Sequence, residues 1–177
     1  VVGQNEGGPD AGLLYFAEND AEKVARALVD VGGFPDDNVV VARGLRRQGL
    51  IFELDRIADR IAALERGGGD SVVLLFYYSG HGNPDGLELG RSTLGYAELD
   101  AYLEASGADV RLLLLDACHS GASTRAKGAS RAPSFLVELD EGADAEGKVV
   151  ISSSSADELS QESDEIGGSY FTHFFVS

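Results

Sequence analysis

The 177-residue chain reads as an α/β protein, a three-layer α/β/α sandwich around a mostly parallel central sheet. Two largely apolar runs predict it, Ser71 to Tyr78 and Val110 to Leu115, together with the amphipathic segments between the strands. Runs this short and this apolar suit strands buried on both faces, the condition of a parallel sheet. Strands that alternate with helical segments build such a sheet through crossover connections.

Val1 to Gly3 reads as the end of a first strand, and the abrupt start predicts a trimmed terminus; Phe175-Val176-Ser177 carries no stop signal either. Gln4 to Leu14, polar with Gly and Pro, is expected to loop over the edge where the strands end. Asn19 and Asp20 are the candidate N-caps of a helix to about Val31, with Ala21, Val24, Ala25 and Leu28 as its apolar stripe. Gly32-Gly33-Phe34-Pro35 stops it, and Asn38 to Ala42 reads as a short strand. A second amphipathic helix, Gln48 to Glu65, buries Leu50, Leu54, Ile57, Ile61 and Leu64 and ends at Gly67-Gly68-Gly69. After the first apolar run, Pro84 to Leu94 has hairpin chemistry with Asp85-Gly86 as its turn. Tyr96 to Ala105 is a third helix. Beyond the second run, Ala122 to Pro133 is small, polar and basic, Asp140 to Glu146 is an acidic turn, Lys148 to Ser154 a strand, and Ala156 to Gly168 a polar loop. The expectation is a single domain over residues 1–177.

Composition narrows the function. Hydrophobic residues at 44% and charged residues at 25% are those of a soluble globular protein. No apolar run approaches the roughly 20 residues a membrane span needs, so no membrane partner is expected. A net charge of −16 argues against a nucleic-acid surface and suits a cationic substrate. One cysteine allows no intrachain disulfide and no multi-Cys zinc site, and His81, His119 and His173 show no ligand spacing. No metal and no cofactor are expected. The expected compartment is the cytoplasm, with secretion left open by the trimmed start.

The two apolar runs end in chemistry. Val110 to Leu115 gives way to Asp116-Ala-Cys-His-Ser-Gly121, and Ser71 to Tyr78 to Ser79-Gly-His-Gly82. Ligands of open parallel sheets sit beyond the carboxyl ends of the strands. Alone, Cys118 fits a buried structural thiol as well as a nucleophile. Two neighbouring strands, however, can deliver Cys118 and His81 to one edge, the pairing thiol catalysis needs. A thiol with an ordinary pKa near 8.5 is only a few per cent ionised at neutral pH, and His81 can draw off its proton. His119 is the rival base, but beside Cys118 on an extended chain it points away. Asp116, two residues before Cys118, projects to the same side of the strand. An acid buried there without a partner is costly, and a cationic substrate side chain would satisfy it. Its alternative reading is an ion pair with a nearby Arg.

The segments YYSGHG and LLLDACHSG, in that order and 37 positions apart (81 to 118), resemble the caspase-type cysteine peptidases, in particular the metacaspases and their bacterial caspase-like relatives. The resemblance runs nearly the whole chain: Val1 to Asn5 resembles the family's first strand, Glu18 to Ala21 the start of its first helix, and Val149 to Ser155 and Tyr170 to Phe174 its late strand and the segment after it. It implies a caspase-like fold and endopeptidase activity with Cys118 and His81 as a dyad. It implies oxyanion donors in the backbone N–H groups of Gly82 and Cys118. It also implies a specificity pocket of Asp20, Ser79 and Asp116, cleavage of proteins or peptides after Arg or Lys, and a monomer. The alternative for Asp20 is a helix N-cap.

The chain departs from the metacaspase pattern after His81. Many metacaspases carry an acid-rich, calcium-binding insert there, whereas Asn83 to Gly90 offers only Asp85 and Glu88. Calcium takes 6–8 oxygen ligands, so calcium independence is expected. The basic residues Arg125, Lys127 and Arg131 are candidate self-processing sites, or else part of a solvated loop. Two rival readings stay in play. One is a catalytically silent caspase-like module for assembly or signalling; the other is a separase-like or legumain-like thiol peptidase.

Overall fold

The computed structural model describes residues 1–9, 11–68, 71–117, 147–153 and 162–177, and the backbone of 136–141. Its centre is a six-stranded sheet in the spatial order β2 (Ala42–Arg43), β1 (Val2–Gln4), β3 (Val73–Gly80), β7 (Val110–Ala117), β9 (Gly147–Ser152), β8 (Leu136–Glu141). Five of these strands are parallel, and β8 lies antiparallel on the edge beside β9. Helices α1 (Ala17–Asp30) and α4 (Tyr170–Val176) pack on one face, and α2 (Arg47–Arg66) and α3 (Tyr96–Ala105) on the other. The expected α/β/α layering is the fold observed. A small antiparallel sheet of β4 (Gly82–Asn83), β5 (Gly86–Leu89) and β6 (Ser92–Gly95) adjoins α3, and a ladder of β10 (Glu162–Ser163) and β11 (Gly168–Ser169) leads into α4.

From Phe76 in β3 and from Leu113 in β7 onward, the two central strands are buried on both faces. Phe76, Tyr78, Leu113 and Leu115 pack with Leu50, Leu54, Leu99 and Leu103 of α2 and α3. Tyr77 and Leu114 face the opposite way, against Ala21, Val24 and Leu28 of α1. Side chains alternate along a strand, so Ser79 follows Tyr77 and Asp116 follows Leu114 onto the α1 side. Fold and site meet in that alternation.

Several boundaries differ from the sequence reading for local reasons. Helix α1 begins at Ala17, with Phe16 at the cap position and no side-chain cap of its own, so neither Asn19 nor Asp20 caps it. Asp36–Asn38 forms a single 3₁₀ turn, and the edge strand β2 comes only at Ala42. The hairpin turn is Pro84-Asp85, one residue earlier than expected, because Gly86 belongs to β5, where a Cβ would meet Leu94 O at 2.1 Å. Asp140 and Glu141 belong to β8 rather than to a turn. The sequence Leu-Val-Glu-Leu-Asp-Glu mixes apolar residues with acids, and its acids disguise the strand.

Helix α1 crosses β1 at Gly3, where an added Cβ would lie 2.5 Å from Ala17 O and 2.6 Å from Glu18 Cα. Both are backbone atoms and cannot swing aside. Gly3→Ala is expected to destabilise the protein by about 2–3 kcal/mol, read as a lowered urea midpoint at unchanged slope. A midpoint equal to wild type would show that α1 sits more loosely on β1 than these distances require.

Candidate active site

The parallel register of β3 and β7 pairs Ser79 with Asp116 and Gly80 with Ala117. His81 is the next residue after one pairing partner and Cys118 the next after the other. Cys118 lies outside the described residues, as do His119, Arg125, Lys127 and Arg131. The two strands that carry the expected dyad thus end side by side.

The His81 Nε2 atom lies 2.6 Å from the carbonyl oxygen of Gly12. A carbonyl only accepts, so Nε2 carries the hydrogen, and in the neutral ring Nδ1 keeps the lone pair. Gly12 belongs to the segment between β1 and α1, which is tied down by Leu14 N to Asn5 O at 3.0 Å and Gly90 N to Glu6 O at 3.1 Å. Gly7 of the same segment rests on the imidazole, where a Cβ would come within 2.6 Å of His81 Cδ2. From below, the Tyr78 hydroxyl shares its one hydrogen between the carbonyls of His81 and Glu88, at 2.8 and 2.6 Å. Gly82 opens β4 and pairs with Leu87.

The expected specificity residues converge on the α1 side of the sheet. Asp20 and Asp116 are buried at 0% and 2% exposure and share the partner Ser169. The Ser169 backbone N–H donates to Asp20 Oδ2 at 2.8 Å, and its hydroxyl donates to Asp116 Oδ2. Thr172 Oγ1 donates to that same Asp116 oxygen at 3.1 Å. Lys23 Nζ holds Asp20 Oδ1 at 3.0 Å and Gly167 O at 2.6 Å. The close approach requires a glycine at 168, where a Cβ would sit 2.3 Å from Asp20 Oδ1. Asp116 therefore takes hydroxyl donors from α4 and its N-cap, and Asp20, in the first turn of α1, anchors the β10–β11 ladder instead of capping a helix. Burial raises the pKa of Asp20 above the ordinary carboxylate value, against the pull of the Ser169 N–H and of Lys23; the charge of Asp116 raises it further.

Ser79, Gly80, His81, Asp116, Glu162 and Ser169 line one narrow cleft that opens to solvent. Glu162 reaches across to the start of α1 and accepts from Tyr15 N and Phe16 N, both at 3.0 Å. These amides lie just before α1, so Glu162 braces its entry, while the first-turn amide of Glu18 donates to Asn5 Oδ1 at 3.1 Å. Glu88 is occupied too, accepting from Gly8 N at 2.7 Å and Asn83 Nδ2 at 2.8 Å. Among the described residues no cluster of His, Cys, Asp and Glu could hold a metal ion.

Five of these participants escaped the sequence reading. Gly12 acts through a backbone atom and leaves no signal. Lys23 reads as an exposed helix residue, and Glu162 is one acid among several in a polar stretch. Ser169 and Thr172 do carry a signal, a serine three residues before a threonine at the start of a short aromatic helix, which is an N-cap pattern.

The model of the caspase domain family matches residues 1–177. No curated protein and no solved structure was found to match the chain.

The raised pKa of Asp20 has a signed consequence. A carboxyl that holds its proton more tightly folded than unfolded favours the native state while protonated, and that advantage is lost as it ionises. Stability of the wild type relative to Asp20→Asn should therefore fall as pH climbs from about 4 through the raised value. Urea denaturation of both proteins between pH 4 and 7 checks this; parallel profiles would show that Lys23 and Ser169 fully compensate the burial.

Proposed function

The chain belongs to the caspase domain family, the cysteine peptidase domain whose substrates are proteins, and from that premise we propose an endopeptidase of metacaspase type that cuts after arginine or lysine. The observation that carries the proposal is the placement of a buried carboxylate, Asp116, in the same cleft as His81. A basic side chain lying against Asp116 would set its own backbone carbonyl towards the strand ends, where the nucleophile is needed.

The chemistry rests on the dyad. Cys118 attacks the substrate carbonyl carbon as its proton passes to His81, whose Nε2 is engaged by Gly12 and whose Nδ1 is left to receive it. The oxyanion takes backbone N–H bonds from Gly82 and Cys118, each worth roughly 3 kcal/mol to the transition state. Collapse breaks the C–N bond, the amine leaves with the proton from His81, and a thioester remains on Cys118. Water, deprotonated by His81, then releases the acid and restores the thiol. Gly12 holds the ring in one tautomer throughout, as a carboxylate does in a serine triad.

Asp116 serves as the acid that reads the substrate cation, with Ser79 beside it and Asp20 behind Ser169. Calcium independence is part of the proposal: Glu88 already holds two internal donors, and Asp85 offers little on its own. So is self-processing after Arg125, Lys127 or Arg131, the basic residues of a chain otherwise rich in acid.

Fluorogenic peptides that differ only in Arg, Lys or Asp before the cut give the direct test, with chelator and with calcium. Arg and Lys peptides should be hydrolysed equally in both buffers, and Cys118→Ala should abolish turnover. Asp116→Asn should raise KM about a hundredfold, since it strips the partner from a buried cation. Turnover after Asp would overturn the pocket assignment and keep the peptidase. No turnover, with Cys118 unlabelled by a thiol-reactive peptide, would leave a silent module. On a gel, the active chain should convert over hours to fragments cut within residues 122–133, and Cys118→Ala should stay intact; an active chain that also stays intact would remove self-processing.

A further inference from the structure

Behind Asp116 lies a line of hydroxyls that the cleft does not expose. Tyr77 and Thr172 are both fully buried, and neither lines the cleft. The Thr172 hydroxyl has a single hydrogen and donates it to Asp116 Oδ2. The Tyr77 hydroxyl also meets Thr172 Oγ1, so Tyr77 must be the donor in that contact. The line therefore has a direction, from Tyr77 through Thr172 to Asp116, and Ser169 donates to the same carboxylate oxygen from the other side. Burial, and next the charge of Asp116, raise the Tyr77 pKa well above its ordinary value, which keeps the phenol a donor.

Packing alone does not call for this chemistry. Valine has nearly the shape of threonine and phenylalanine that of tyrosine, and apolar residues in a dry site avoid the penalty of buried polar groups. Here the two hydroxyls have an anion to solvate. Two donors on one oxygen also fix the plane of the carboxylate, and with it the direction in which the acid faces the cleft.

We propose that Tyr77 and Thr172 are positioning residues for Asp116, which with Ser169 hold it from behind and so set the affinity of the cleft for a guanidinium or ammonium group. The proposal rests on reading the cleft as the seat of a basic substrate side chain. Its test separates the two. Benzamidine, a planar monocation, is titrated into the 177-residue chain by calorimetry, and KM and kcat are measured on an arginine peptide. Thr172→Val and Tyr77→Phe should each weaken benzamidine binding roughly tenfold and raise KM by a like factor, with kcat within about twofold of wild type. Thr172→Ser, which keeps the hydroxyl, should restore both. Tyr77→Phe carries the test alone if Thr172→Val does not fold. Variants that bind benzamidine as wild type does would overturn the proposal, as would Thr172→Ser proving as weak as Thr172→Val. So would a wild type that does not bind, or one whose binding survives Asp116→Asn. Benzamidine binding that tracks the hydroxyls, in a chain that cuts no basic peptide, would sustain the proposal and remove the peptidase specificity.

Discussion

Two like charges buried around one serine are the constraint on which the carboxyl edge of the sheet depends. Asp20 and Asp116 sit on different elements, and each would be expensive to bury alone. The main chain of Ser169 serves one and its side chain the other, and Lys23 supplies the only positive charge in contact with Asp20 among the described residues. Ser169 in turn accepts from Thr172 N at 2.9 Å, which starts α4. Removing the acids would leave the ladder and the last helix without their anchors; removing the ladder would leave the acids without donors.

That arrangement needs the sheet to be dry on both sides almost to its end. The alternation along β3 and β7 sends Tyr77, Ser79, Leu114 and Asp116 to the α1 face, and the register sets Ser79 directly beside Asp116. Apolar burial holds the strands rigid, and polarity begins only in the last residues before the turn. Rigid strands presenting their final side chains to a crevice are how parallel sheets build ligand sites.

The sequence was most legible where periodicity was strong. The two apolar runs, α2 and α3 were readable within two residues at nearly every boundary, because packing and local propensity agree there. The start of α1 was not, since the acceptors at its entry are Asn5 and Glu162, both outside the helix, and local rules see only Phe16. The edge strand β8 was hidden by its own acids. The site divided in the same way. Asp20, Ser79, His81 and Asp116 could be named from motifs. The groups that hold them (the Gly12 carbonyl, Ser169, Thr172 and Lys23) are ordinary residues made useful by contacts distant in sequence or by a backbone atom.

The bracing of the entry to α1 by Glu162 bears on the order in which the molecule can be assembled. A ribosome delivers Asp20 and the first turn of α1 long before the codons of the ladder that completes them are read. Until residues 162 to 169 emerge, Asp20 has no Ser169 amide, Tyr15 and Phe16 have no acceptor in Glu162, and the cleft lacks a wall. A nascent chain that stops short of Ser169 lacks two of the residues that line the cleft, so the pocket is completed only by codons translated well after both central strands.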